Sequence, residues 1–280
     1  FQAQLTIPGK VDVAGASLFG VPVVLIGSTR NLAWSHTVST AFRVTPFEVK
    51  LVPGSPTTYL VDGQPHQMER DVVTVDVGGG QQRTRTLYST KYGPVFTSLL
   101  GLPLFPWTSA SAYSMGDVNG GNFRYLNHFF ETNMANSVRE YDQVLRRNQG
   151  IPWVNSIAAD RTGNAYYSMQ GAIPYVPNEQ ASDCNVLQPT FDTLGLPVLD
   201  GSRSECDWRT SDKATSPGTF PPDEVDRLRD ERLNDLLQAF IGIGLLAGIA
   251  GGIILLQFET ITSTSYPVSW PSGPWKLNGL

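Results

Sequence analysis

Glycine and proline interrupt this chain about once every six residues, with 27 and 20 of them among 280, which leaves little room for long helices. Short strands joined by turns satisfy that spacing, and the runs between the breaks are rich in β-branched and aromatic residues. Phe1-Gln2-Ala3-Gln4-Leu5-Thr6-Ile7 alternates as a strand does, so the sequence is expected to open inside a domain. Residues 21–27 (VPVVLIG) read as a strand buried on both faces, and 32–38 (LAWSHTV) as a second after the turn Ser28-Thr29-Arg30-Asn31. Further strands are expected over 42–51, 58–61, 71–77 and 83–89, five or six before residue 95. Val61-Asp62-Gly63 and Gly78-Gly79-Gly80 mark turns.

Two helices interrupt this series. In 137–148, Ser137 and Glu140 form a capping box, Val138, Tyr141, Val144 and Leu145 share a face, Arg146 and Arg147 suit the C-terminal dipole, and Gly150 supplies the stop. The other covers roughly 122–132. A strand pair, Trp153 to Asp160 and Ala165 to Gln170, follows around Arg161-Thr162-Gly163-Asn164. Strands, helices, then strands again define a β-rich α+β order.

Only 16% of residues are charged, against about 25% in ordinary domains, which excludes a disordered chain. A net charge of −5 offers no basic face to a nucleic acid, so no such partner is expected. The three histidines, His36, His66 and His128, have no metal-ligand spacing, and no metal or cofactor is expected. His36 lies inside a core strand, where a ring bonded to the backbone is favoured over a catalytic base. Neither a Gly-x-Ser-x-Gly elbow nor a phosphate-binding glycine loop supplies an active site. Cys184 and Cys206, the only cysteines, bracket a loop rich in Pro, Gly, Asp and Ser. A disulfide between them is favoured over two free thiols, which implies an oxidising, periplasmic or extracellular compartment.

Composition shifts after Pro221-Pro222, dividing the chain at 1–222 and 223–280. Residues 223–238 are charged and helical in pattern. Ala239 to Leu256 then runs 18 residues without a charge, about 27 Å as a helix. A membrane span, a buried helix and a non-native tail are all open for 239–256.

Leu5-Thr6-Ile7-Pro8-Gly9, Gly15-Ala16-Ser17-Leu18-Phe19-Gly20-Val21-Pro22, Ile26-Gly27 and Asn31-Leu32-Ala33-Trp34-Ser35-His36-Thr37-Val38 closely resemble the penicillin amidase family, in its acyl-homoserine-lactone and aculeacin-type acylase branch. Tyr59-Leu60-Val61-Asp62-Gly63, Lys91-Tyr92-Gly93-Pro94-Val95 and Gly150-Ile151-Pro152-Trp153-Val154-Asn155 continue the match in order, to about residue 222. The resemblance implies an N-terminal-nucleophile hydrolase with an αββα sandwich, cut from a precursor into a small and a large subunit. This chain would be an early, incomplete part of the large subunit, with the small subunit as partner and an N-acylated small molecule (acyl-homoserine lactone, lipopeptide or β-lactam) as substrate.

In that family a Ser at the new N-terminus attacks, and its own α-amine, with an ordinary pKa of about 7.7–8.0, takes the proton. Few histidines are then no objection. By the resemblance that Ser precedes Phe1 and is absent from this sequence. The oxyanion hole pairs a backbone N–H at the position of Val38 with an Asn further along, which the divergent tail does not supply. The matching acyl-pocket positions are Leu18, Val21, Leu25, Met115, Phe129, Trp153 and Val154, each of which ordinary core packing also explains. Trp153 and Phe129 are the strongest. Penicillin acylases proper bind calcium just after the oxyanion strand. Here that stretch, Ser39-Thr40-Ala41-Phe42-Arg43-Val44-Thr45, has no carboxylate, and no calcium is expected. The alternative is a catalytically inactive, membrane-anchored binding or scaffold protein that keeps the sandwich.

Overall fold

The computed structural model describes residues 1–99 and 101–231, so the apolar run 239–256 lies outside the described residues. Strands β1 (Gln2–Ile7), β2 (Val11–Ala16), β3 (Ile26–Ser28) and β4 (Leu32–Val38) come first. Then follow β5 (Val44–Val52), β6 (Ser55–Val61), β7 (Gln64–Gln67), β8 (Glu69–Asp76), β9 (Gln82–Thr90), β10 (Gly93–Phe96) and β11 (Ser111–Asp117). Helices α1 (Arg124–Thr132) and α2 (Val138–Asn148) precede β12 (Val154–Asp160) and β13 (Ala165–Ser168). Short elements close the order: α3 (Asn178–Cys184), α4 (Gln188–Leu194), β14 (Leu199–Asp200) and a 3₁₀ turn at Ser204–Cys206. Residues 222–231 are helical.

These elements form two compact units of interleaved segments. Among the described residues, the first takes 1–39, 123–171 and 221–231; the second takes 40–122 and 172–220. The first unit is built on an antiparallel sheet in the order β1-β2-β3-β4-β12-β13. Alternation aims Val11, Val13, Leu32, Trp34 and Ala158 at one face, where they close a core with Tyr141 and Leu145 of α2 and with Ile151. The second unit orders its strands β7-β6-β5-β11-β10-β9-β8, with β14 added parallel to β5. Its core gathers Val49, Leu51, Tyr59, Val61, Met68 and Ala112, beside a second cluster of Phe47, Leu199, Cys184 and Cys206. The two cysteines are joined in a disulfide, as expected.

Four expectations are corrected. Residues 21–27 are not one buried strand: only Ile26–Ser28 is extended in the sheet. Pro22 has no N–H to give a ladder, and both main-chain groups of Val24 are taken by the Asn133 amide, at 2.9 and 2.7 Å. Nine strands, not five or six, precede residue 93. The missed β7 (Gln-Pro-His-Gln) is exposed throughout and lacks strand propensity; the two left-handed residues Asp62 and Gly63 fold it back onto β6. Beyond the helices expected at 122–132, 137–148 and 223–238, two more, α3 and α4, are present among the described residues. The extra pair are seven residues each without a side-chain cap, too short for a periodic signal.

Helix α2 has its expected bounds and its Ser137 cap, which accepts from the Glu140 N–H at 3.2 Å. Its left-handed stop is Gln149, not Gly150. Gly150 serves packing, since a Cβ there would lie 2.8 Å from the Arg124 carbonyl oxygen and 2.8 Å from His128 Cβ.

Candidate functional site

Strand β4 ends at Val38, which is 83% exposed. Opposite it in register stands Val154, the first residue of β12. The Ser39 N–H donates to the Trp153 carbonyl at 3.2 Å, so this bond brackets the Val38–Val154 pair. A bracketed pair in an antiparallel ladder is a non-hydrogen-bonded one, so the Val38 N–H turns away from β12. It points to the side of β4 along which the β3 pairing reaches only Trp34. A strand end beyond the reach of its neighbour thus presents a backbone donor in the plane of the sheet.

Period-two alternation puts the His36 and Val38 side chains on the face of Trp34. His36 organises that face. Its Nε2 meets the Leu25 carbonyl at 3.1 Å and its Nδ1 the Asn155 carbonyl at 3.2 Å, while Phe129 of α1 packs edge-on at 5.7 Å. Both ring nitrogens face backbone carbonyls, and the ring, kept neutral by burial that lowers its pKa, donates to one of them, the backbone role expected of it. The Leu25 carbonyl also accepts from Trp34 Nε1 at 2.8 Å. His128, wholly buried, packs on Phe129 at 5.1 Å, and burial pushes its pKa down to about 3.

The assigned pocket residues divide accordingly. Phe129 packs on the His36 ring, the Leu25 carbonyl meets its Nε2, and Val154 stands opposite Val38 in register. Leu18 and Val21 close the turn before Leu25, through the Val21 N–H to the Leu18 carbonyl at 3.2 Å; Leu18 is 60% exposed. Trp153 is 59% exposed, one residue before β12, and Phe129 is 5% exposed. Met115 belongs to β11 in the second unit. Sequence reasoning missed Asn133, which immobilises the main chain at Val24 next to Leu25; its only signal is an amide at the end of α1, a position favouring side-chain bonds to the backbone. No group of three or more His, Cys, Asp or Glu side chains is assembled for a metal among the described residues. A cavity of about 360 Å³ at the β1–β2 turn, lined by Lys10, Asp12, Arg30 and Asn136 among others, contains none of the assigned pocket residues.

The sheet thus presents, at the end of β4, a backbone N–H able to bond an anionic oxygen. The penicillin amidase family profile matches residues 1–232, and the chain belongs to that family. Among curated relatives, it is 43% identical over 235 residues to aculeacin-A acylase of Actinoplanes utahensis, covering 82% of this chain and 29% of that protein. To acyl-homoserine lactone acylase PvdQ of Pseudomonas putida it is 40% identical, covering 79% of this chain and 28% of that protein. The chain thus spans less than a third of the length of these relatives. Among solved structures, a thermostable penicillin G acylase from Alcaligenes faecalis superposes with a TM-score of 0.56 at 24% identity, over 64% of this chain and 31% of that one, a likeness of fold.

Proposed function

We propose that this chain supplies the oxyanion-donating strand and part of the acyl pocket of an N-terminal-nucleophile amide hydrolase that removes an acyl chain from an N-acylated small molecule. The observation that carries this reading is the Val38 N–H, turned away from β12 at a strand end with Val154 opposite it in register. A tetrahedral intermediate at that end would receive the N–H on its oxygen, while the acyl tail lay along the apolar side chains. Relatives named aculeacin-A acylase and acyl-homoserine lactone acylase support an acyl-amide substrate.

The attacking Ser and its α-amine belong, on this reading, to sequence before Phe1, and the second oxyanion donor to sequence beyond the described residues. The partner is the small subunit of the same precursor, and the disulfide supports an oxidising compartment. The 280-residue chain alone is expected to turn over no N-acyl substrate, because covalent acyl transfer needs the nucleophile. Turnover by the purified chain, tested on acyl-homoserine lactones and on lipopeptide amides, would contradict this division of labour.

A further inference from the structure

Arg43 lies in the second unit, just before β5, and is only 9% exposed. One of its nitrogens is accounted for: Nη1 donates to the Ala172 carbonyl at 2.8 Å. The other two, Nε and Nη2, are buried and meet no acceptor among the described residues. They are not an arbitrary pair. Nε–H and Nη2–H run parallel along one edge of the guanidinium plane, and that edge is the fork that takes both oxygens of a carboxylate.

Leaving that edge without an anion is physically costly. The guanidinium does not shed its proton at neutral pH; burial pushes its pKa down only to about 10. A buried charge without a counter-charge is among the most destabilising features a fold can carry. A water molecule could bond the fork but not neutralise it. Two carboxylates of the second unit are engaged with other partners, Asp200 with Lys50 and Arg203 and Asp207 with Lys91 and Tyr92.

We propose that Arg43 is a buried carboxylate receptor, whose Nε–Nη2 edge binds one carboxylate side-on from outside the described residues while Nη1 holds the Ala172 carbonyl. The site ties the segment leaving the oxyanion strand to residue 172 of the same unit, and it concerns stability and assembly of that unit, not the acyl chemistry. The carboxylate has two sources: an Asp or Glu side chain of polypeptide outside the described residues, or a small carboxylate from solution.

Thermal unfolding of the 280-residue chain separates them. Melts are run in sodium chloride and in sodium acetate of equal ionic strength, for the wild type, Arg43→Met and Arg43→Lys. The sign for Arg43→Met is informative because removing one partner of a buried pair destabilises, whereas removing an unpaired buried charge does not. If polypeptide supplies the carboxylate, Arg43→Met lowers the midpoint by on the order of 10 °C in both salts, and acetate leaves the wild type unchanged. If solution supplies it, acetate raises the wild-type midpoint by several degrees, and both variants lose that response. Arg43→Lys keeps the charge but not the fork, so it falls short of the wild type in either case. Should Arg43→Met give no cooperative melt, Arg43→Lys and the wild-type acetate titration decide. An Arg43→Met midpoint at or above wild type in both salts, with no response to acetate, overturns the proposal.

Discussion

His128 carries the sharpest consequence at the scale of a residue. It is wholly buried in α1, and neither ring nitrogen finds a partner among the described residues. Burial, and behind it the nearby His36, pushes its pKa down to about 3. The unfolded chain binds this proton near pH 6.5 and the folded chain near 3, so stability is full above 6.5 and is lost progressively as pH falls between those values. At pH 4 the loss from this one group amounts to roughly 3 kcal/mol. His128→Leu removes it, and urea unfolding from pH 7 to 4 should show a flatter decline for the variant; equal declines would show that His128 is protonated in the folded state.

Trp153 and Phe129 were indistinguishable in sequence as aromatic candidates, and burial now separates them. Trp153 is 59% exposed, so Trp153→Ala should leave the melting temperature nearly unchanged. If it walls the acyl cavity of the assembled enzyme, binding weakens by roughly 1–3 kcal/mol for long acyl tails and little for short ones. Phe129→Ala instead truncates a buried ring, at a cost of about 3–5 kcal/mol to folding. Paired kinetics over a series of tail lengths and melting curves of both variants check these assignments. A uniform loss for Trp153→Ala would remove it from the pocket.

Helix α2 is the element most completely written in its own sequence, because its cap, its apolar face and its terminal arginines all act within a few residues. What local sequence does not show is its anchor to the sheet. Asp160, at the end of β12, accepts the Val138 N–H at 3.0 Å through one oxygen and the Thr162 and Asn164 main-chain N–H groups through the other. Partial burial opposes ionisation, but the bonds from Thr162, Val138 and Asn164 prevail and hold this carboxyl well below the usual range. Its contribution is therefore present above the unfolded carboxylate pKa and is lost only as pH falls through the depressed value. Asp160→Ala leaves a helix-start donor unpaired, at about 1–2 kcal/mol. A fall in melting temperature of about 2–8 °C at pH 7 is expected, and no change would mean that water replaces the carboxylate at no cost.

Strand β3 shows the opposite limit. The apolar run 21–27 predicts an extended element, but a long-range amide, Asn133, captures the main chain of Val24 and leaves only three residues of strand. A contact across 109 residues has no local signature. The same holds for His36, whose place on a core strand was legible while its bonds to Leu25 and Asn155 required the tertiary fold.

For the whole molecule, the ordered motif blocks made the family legible, while turn spacing marked the chain as β-rich and the order of strands, helices and strands marked it as α+β. The interleaving was not legible: Gly120-Gly121 and Pro221-Pro222 punctuate the crossings at 122–123 and 220–221, but those at 39–40 and 171–172 carry no linker composition, and nothing local pairs the segments into two units. The central claim is that the Val38 main chain is an oxyanion donor. It is tested most directly by grafting residues 1–231 in place of the matching stretch of aculeacin-A acylase and comparing Val38→Pro with Val38→Ala. Proline deletes the N–H at a position that gives β12 no hydrogen bond; alanine keeps it. Val38→Ala is expected to keep near-parental kcat and Val38→Pro to lose about 10²–10³ of it, with each grafted protein folded and processed alike. An unchanged kcat in the folded Val38→Pro protein would contradict it.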